Sequence, residues 1–470
     1  MKQAVLCLLV VVCLGSAFGR WPTRHPPKTT TRRPPPPTTS RPPHTTTAAA
    51  NGTTEEPAQG KLWALLVAGS NYYYNYRHQA DVCHAYQVLH AHGIPDENIV
   101  VMMYDDIANN EQNPTKGIVV NHLNGSDVYH GVPKDYTGNT VTPQNFINVL
   151  TGNKDAMKNI GSGRVIESGP NDHVFVNFVD HGATGILGFP NGELTVKQLS
   201  DALQKLHAEN RYNKLVLYIE ACESGSMFRN VLPDNINIYA TTASDYDESS
   251  YACYYDPKRE TYLGDWYSVN WMEDSDKQDI EKESLESQFQ TVKKETTTSH
   301  AQEYGDLSIS NLVVGQFQGE KEPSTKINLP KTAFERGVPS YEVPLDILYR
   351  KLAAATSQQK KQDLQAEIDD LLEKRGVLET TMKKLVARVA TSHQHHETLL
   401  STKLTLTNLD CHHQLVKEFS QNCFNFGKNP YAMKYASVLA NICEQGFDAN
   451  QVTQAMKQVC SRVAINGYIH

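Results

Sequence analysis

His173-Val-Phe-Val-Asn-Phe-Val-Asp-His181-Gly182 and Leu215-Val-Leu-Tyr-Ile-Glu-Ala-Cys222-Glu-Ser-Gly225 are two apolar runs, each ending on a reactive residue. Both read as buried strands of a parallel pair, and the helix-like stretch Thr195–Glu209 between them supplies the crossover such a pair needs. In an open α/β sheet, chemistry collects where the strands deliver their carboxyl ends, so a His and a Cys at neighbouring tips can meet there. The small residues Ala221, Gly182 and Gly225 beside them let a substrate backbone approach. The pair reads as a thiol nucleophile and its acid/base partner.

Working outward, Leu62–Ala68 reads as the first buried strand and Gln79–His92 as an amphipathic helix closed by Gly93 and Pro95. Ile99–Met103 follows as the second strand, and Ile236–Thr242 comes after the two quoted runs. About five strands separated by helical stretches predict an α/β fold with a mostly parallel sheet flanked by helices.

The flanks set the compartment. Met1–Gly19 carries Lys2, an apolar core over Ala4–Leu14 and a small-x-small end at Ala17-Phe18-Gly19, which is a signal-peptide pattern. Residues 20–58 are Pro/Thr-rich with almost no large apolar side chains, so they are expected to be disordered. The sequons at Asn51 and Asn124 fit an exported glycoprotein. No later segment offers the eighteen apolar residues of a membrane span. Of the nine cysteines, Cys411, Cys423, Cys443 and Cys460 lack the close spacing of a zinc site and look like two disulfides. Neither a metal nor a cofactor is expected. Cys83, Cys222 and Cys253 are an odd number, and Cys222 is the natural free thiol.

Residues 61–330 hold 20 Lys and Arg against 36 Asp and Glu, whereas residues 341–470 are slightly basic, with 15 against 13. An acidic body argues against nucleic acid as a partner and suggests that body and tail attract each other, an attraction acid would weaken. The boundaries follow composition: a catalytic domain over 61–318, a proline-bearing linker over 319–344 and a helical tail over 345–470. In the tail, Leu364, Ile368, Leu371, Leu372, Leu378, Leu385 and Val389 recur at helical spacing, as core packing rather than a dimer seam.

The longer motifs resemble one family. Gly69-Ser-Asn-Tyr-Tyr-Tyr-Asn-Tyr-Arg77-His-Gln-Ala-Asp81, Asp180-His-Gly, Glu220-Ala-Cys-Glu-Ser-Gly225, Glu248-Ser-Ser-Tyr-Ala-Cys-Tyr-Tyr-Asp256 and Tyr262-Leu-Gly-Asp-Trp-Tyr-Ser are similar to the legumain family of asparaginyl endopeptidases. The resemblance implies a caspase-like domain followed by an all-α, disulfide-linked prodomain that inhibits it. It implies Cys222 as nucleophile, His181 as general acid/base, Asn75 as the residue orienting the imidazole, and the N–H groups of Gly182 and Cys222 as oxyanion hole. It also implies an asparagine pocket of Arg77, His78, Glu220, Ser249, Ser250, Tyr251 and Asp265, and a succinimide-forming Asp180. The disulfides it implies are Cys411–Cys443 and Cys423–Cys460, and the partners are protein and peptide substrates, the chain's own prodomain and cystatin-type inhibitors. The expected setting is a lysosome-like vesicle or acidic lumen.

An asparagine side chain presents one acceptor and one NH2 donor, so Arg77 suits one wall and Glu220 and Asp265 the other. The family's self-cleavage asparagine is missing from Lys351-Leu-Ala-Ala-Ala-Thr-Ser-Gln-Gln, which leaves Asn328 as the preferred candidate. Peptide ligation by the same acyl-enzyme is an alternative activity, and a non-catalytic binding module is a remote one.

Overall fold

A computed structural model describes residues 60–321, 323, 337–461 and 469. The signal segment, the Pro/Thr-rich extension, Asn51 and Asn328 lie outside the described residues.

The strands in chain order are β1 (Leu62–Ala68), β2 (Ile99–Met102), β3 (His173–Val179), β4 (Gly182–Ala183), β5 (Ile186–Phe189) and β6 (Gly192–Thr195). They continue as β7 (Lys214–Glu220), β8 (Ile238–Thr242), β9 (Tyr251–Asp256), β10 (Thr261–Asp265), β11 (Gln302–Gly305) and β12 (Val338–Pro339). A six-stranded sheet has the order β11-β8-β7-β3-β1-β2. The five expected strands are all there and mutually parallel, and β11 adds an antiparallel edge on β8. Alternate side chains of β1 enter two separate cores, Ala64 and Leu66 on one face, Trp63, Leu65 and Val67 on the other. Burial on both faces is why these strands read as continuous apolar runs.

Register aims the tips. Val179 of β3 lies level with Glu220 of β7 and with Ala68 of β1, so Asp180-His181 and Ala221-Cys222 leave the sheet at one edge. The helices of this part are α1 (Tyr76–Ala91), α2 (Pro143–Leu150), α3 (Lys154–Met157), α4 (Val196–Ala208), α5 (Trp266–Lys277), α6 (Leu285–Glu295) and α7 (Gly315–Gln318). The crossover α4 starts in a capping box, with Thr195 and Gln198 satisfying each other's backbone N–H groups. The first helix starts at Tyr76, earlier than its apolar pattern suggests, because a 3-10 turn over Tyr73–Asn75 feeds directly into it. The polar stretch after Glu273 is structured too, forming the end of α5, then α6 and β11.

The tail comprises α8 (Val343–Ala354), α9 (Gln358–Val389), α10 (His393–Ser401), α11 (Leu409–Asn422), α12 (Ala436–Glu444) and α13 (Ala449–Cys460). Its first helix begins at Val343, two residues before the expected boundary, with Pro344 in the opening turn where a missing N–H costs nothing. Disulfides join Cys411 to Cys443 and Cys423 to Cys460, tying α11 to α12 and α13. The α9 stripe is buried at Leu364, Ile368, Leu371, Leu378 and Leu385, whereas Leu372 is 43% exposed and does not belong to it. Leu378, Met382 and Leu385 share a core with Leu415, Phe419, Leu439 and Met456, and Ala183 and Ile186 of the body join that core. The tail thus packs on the β4–β5 hairpin that directly follows His181. Among the described residues no helix is long and apolar enough to cross a membrane.

Candidate active site

Cys222 and His181 are 5% exposed each and line one cavity of about 420 Å³ with Gly182, Glu223, Ser249 and Tyr251. Tyr341, Thr402, Lys403, Met433 and Lys434 of the linker and tail cover it. Gly182 separates the two tips at close quarters. A Cβ there would lie 2.7 Å from the Cys222 carbonyl oxygen and 2.8 Å from Ala221 Cβ.

The imidazole has a defined proton. Asn75 Nδ2 donates to the Asn71 carbonyl at 3.0 Å, which turns Asn75 Oδ1 toward His181 Nε2 at 2.9 Å. An amide oxygen only accepts, so Nε2 carries the hydrogen and Nδ1 presents a lone pair. Ser340 Oγ sits 3.4 Å from that Nδ1. Burial pushes the Cys222 thiol up to about 11, against the smaller opposing effect of Ser250, whose Oγ lies 3.7 Å from Sγ. The covered Cys222 side chain is therefore a neutral thiol. Cys83, Cys222 and Cys253 are all unbridged and buried.

Beside the dyad lies a fully buried polar pocket. Arg77 at the start of α1 donates from Nε to Asp265 Oδ1 at 2.9 Å and from Nη2 to Ser340 Oγ at 2.6 Å. Glu220 Oε2 accepts from the Ser268 N–H and hydroxyl at 2.9 and 3.1 Å. Glu220 Oε1 and Asp265 Oδ2 are buried and have no hydrogen-bond partner among the described residues. Asp81, which was not anticipated, completes a carboxyl trio, accepting from Asn121 Nδ2 at 2.7 Å and from the Asp265 N–H at 3.3 Å. Burial raises all three carboxyls, and the Asp265 charge beside Asp81 and Glu220 raises those two further. An acid within the otherwise uncharged run from Gln79 to Cys83 was the available signal for Asp81.

His78 accepts or donates at 2.7 Å to Ser70 Oγ, and its Nδ1 lies 3.2 Å from Asp180 Oδ1. Burial, then the Arg77 charge, holds His78 well below the ordinary histidine range. Burial lifts Asp180 to about 8, so it is a neutral acid through mild acid. His78, Asp180 and His181 offer potential ligand atoms within 4.8 Å of one another, with His181 Nε2 engaged by Asn75 and the His78 and His181 rings edge to face, centroids 5.0 Å apart. Asn124 is exposed in a loop.

The linker enters this pocket as a strand. Val338 and Pro339 pair antiparallel with Ala252 and Tyr251 of β9, and the Ser340 N–H donates to the Ser250 carbonyl at 3.0 Å. Ser340 thus presents its side chain to Arg77 and its neighbour Tyr341 to the cavity. Ion pairs fix the rest of the cover: Lys403 to Glu223 at 2.6 Å, Lys417 to Glu193 at 2.9 Å and Lys351 to Glu260 at 3.2 Å. Tyr262 donates to Asp346 at 2.5 Å, and Arg350 lies over the rings of Tyr255 and Tyr262.

Residues 62–320 match the model of the Peptidase C13 family, and residues 366–460 match the legumain prodomain model. Legumain of Rattus norvegicus is 54% identical over 404 residues, covering 85% of this chain and 93% of its own length. Hemoglobinase of Schistosoma mansoni is 41% identical, covering 86% and 93%, and the vacuolar-processing enzyme of Vicia sativa is 40% identical, covering 88% of each. With the free thiol and imidazole at adjacent strand tips and a helical tail closing over them, the chain belongs to the Peptidase C13 family and is a cysteine endopeptidase in zymogen form, its legumain-type prodomain attached.

Proposed function

We propose that this zymogen, once its tail is released in acid, hydrolyses peptide bonds after asparagine, and after aspartate as the pH falls. The observation that carries the reading is the half-filled pocket. Arg77 Nη2 already donates to a hydroxyl that stands where an asparagine carbonyl oxygen would lie, while Glu220 Oε1 and Asp265 Oδ2 lack a donor. A serine hydroxyl reaches the first group only. An asparagine carboxamide supplies both an acceptor for Arg77 and an NH2 for the carboxyl oxygens, and buried acceptors discriminate strongly against side chains that leave them unpaired.

Cys222 attacks the asparagine carbonyl as its proton passes to His181 Nδ1, the ring nitrogen opposite the one that Asn75 holds. The N–H groups of Gly182 and Cys222 stabilise the oxyanion, and Ser249 and Tyr251 wall the entrance. Collapse expels the amine, which takes the proton from His181, and leaves a thioester. Water then hydrolyses the thioester with the same histidine as base, restoring the thiol. Transfer of the acyl group to an amine is the second reading. It is favoured by Asp180, whose neutral carboxyl beside the His181 backbone is the form that closes to a succinimide with loss of water.

Acid activation follows from the cover. Body and tail are joined there by ion pairs of Glu223 with Lys403, Glu193 with Lys417 and Glu260 with Lys351, and His412 of the tail is buried against the body, which holds it below the ordinary histidine range. Secretory export into an acidic vesicle or lumen fits that requirement, and a cystatin-type inhibitor would compete for the same cleft. The decisive test is an asparaginyl peptide at about pH 5, offered to acid-matured wild type and Cys222→Ala. Wild type is expected to cut after asparagine and the variant to be inert; activity surviving in the variant would remove Cys222 as nucleophile.

A further inference from the structure

One of the tail lysines that line the cavity, Lys403, is seated in a cation site that the body builds by itself. Glu223 follows Cys222 in a left-handed conformation, φ 52°, which swings its side chain back beside the nucleophile, where it is 8% exposed. Thr184 donates to its Oε2 at 2.5 Å, and the Glu248 carbonyl takes its backbone N–H at 2.7 Å, so the carboxylate is held by the body alone. Its other oxygen receives Lys403 Nζ at 2.6 Å, and the same ammonium donates to the Asp247 carbonyl at 2.8 Å. Asp247 and Glu248 line the same cavity, where Glu248 is engaged by His300 at 2.8 Å.

The polarity of the bound linker says which side of the scissile bond this is. Ser340 fills the pocket of the acyl residue, with Val338 and Pro339 preceding it on β9. Tyr341, the next residue, opens into the cavity shared by Cys222, Gly182 and Glu223. Glu223 therefore faces the leaving group. Release of the tail removes both lysines of this cavity, Lys403 and Lys434, and leaves Glu223, Asp247 and Glu248 facing solvent and substrate.

We propose that Glu223, with the Asp247 carbonyl, is a specificity subsite of the mature protease that accepts a lysine or arginine side chain at the first or second residue after the cut. Lys403 occupies that subsite in the zymogen and mimics the substrate cation. The proposal rests on the reading of Cys222 as nucleophile and Ser340 as occupant of the acyl-side pocket.

The test uses protease matured in acid from the full-length chain and quenched fluorescent asparaginyl peptides carrying Lys, Gln or Glu at the first or the second position after asparagine. A half-buried ion pair predicts kcat/KM for Lys over Gln of about fivefold at one of these positions, with Glu the poorest. In Glu223→Gln the Lys-to-Glu ratio falls to near one, whatever the variant's absolute activity. Raised salt compresses the same ratio in wild type, so the proposal does not hang on maturation of the variant. Cleavage of all three peptides at equal rates by wild type overturns the subsite while leaving the nucleophile intact. Failure of wild type to cut any of them defeats the underlying site and the subsite together.

Discussion

Cys222 keeps its proton in the zymogen because the cover strips water from it, and a thiol held near 11 has almost no thiolate at physiological pH. Removing the cover returns water and leaves the thiol beside an imidazole that can become charged. Alkylation by iodoacetamide at about pH 6, followed by mass spectrometry, is expected to be at least about tenfold slower at Cys222 in the zymogen than after maturation. Equal rates would mean that the tail does not control the thiol. At this scale Cys222 and His181 were legible, since each ends a run that can only be a buried strand. Asp81 was not. An acid inside a helix ordinarily faces water, and only the fold buries this one against Asp265. Glu223 was hidden too, since its direction is set by a backbone angle that no pattern encodes.

The element that carries Ser340 to Arg77 is β12, two residues long and drawn from a stretch that reads as linker. Nothing in its composition marks it as a strand; its pairing with β9 makes it one. The polar β11 escapes notice for the same reason, being half-buried throughout and defined by its pairing with β8. The five parallel strands, in contrast, carry their own signal because both of their faces must be apolar. Because β12 lies in the substrate direction with serine in the pocket, Ser340→Asn would complete the hydrogen-bond set there. The expected outcome is a Cys222-dependent cut that creates a new chain end at Tyr341, seen by intact mass at mildly acidic pH. An uncut 340–341 bond in otherwise active protein would show that the linker binds out of register for attack.

Across the whole molecule, the tail is held on the body at several separate places. Lysines meet body carboxylates at three places, and α11 also buries His412 against the β4–β5 turn, where a Cβ on Gly185 would lie 2.7 Å from the ring. Burial lowers His412 to about 4, with the Thr184 backbone, His413 and Glu444 as its polar surroundings. A histidine released into water titrates near 6.5. The docked form therefore binds its proton less readily than the released form, and docking stability present above about pH 6.5 is lost as pH falls toward 4. His412→Leu is expected to flatten the pH dependence of tail release over that interval, as followed by size-exclusion chromatography after linker cleavage. An unchanged curve would remove His412 as the group through which acid acts on the tail. The charge contrast between body and tail was visible in composition; the buried histidine was not, because burial at an interface leaves no mark on a half-polar helix.

All of these features serve one claim, that the pocket of Arg77, Glu220 and Asp265 recognises asparagine and tolerates aspartate only when its own carboxyls are protonated. Burial raises Glu220 and Asp265, so the pocket gains protons in milder acid than ordinary carboxyls would require. The most direct measurement is the ratio of kcat/KM for matched asparaginyl and aspartyl peptides between about pH 4 and 7, on matured wild type. The account predicts strong preference for asparagine at pH 7 that narrows steadily toward pH 4. Equal cleavage of the two peptides at pH 7 would contradict it.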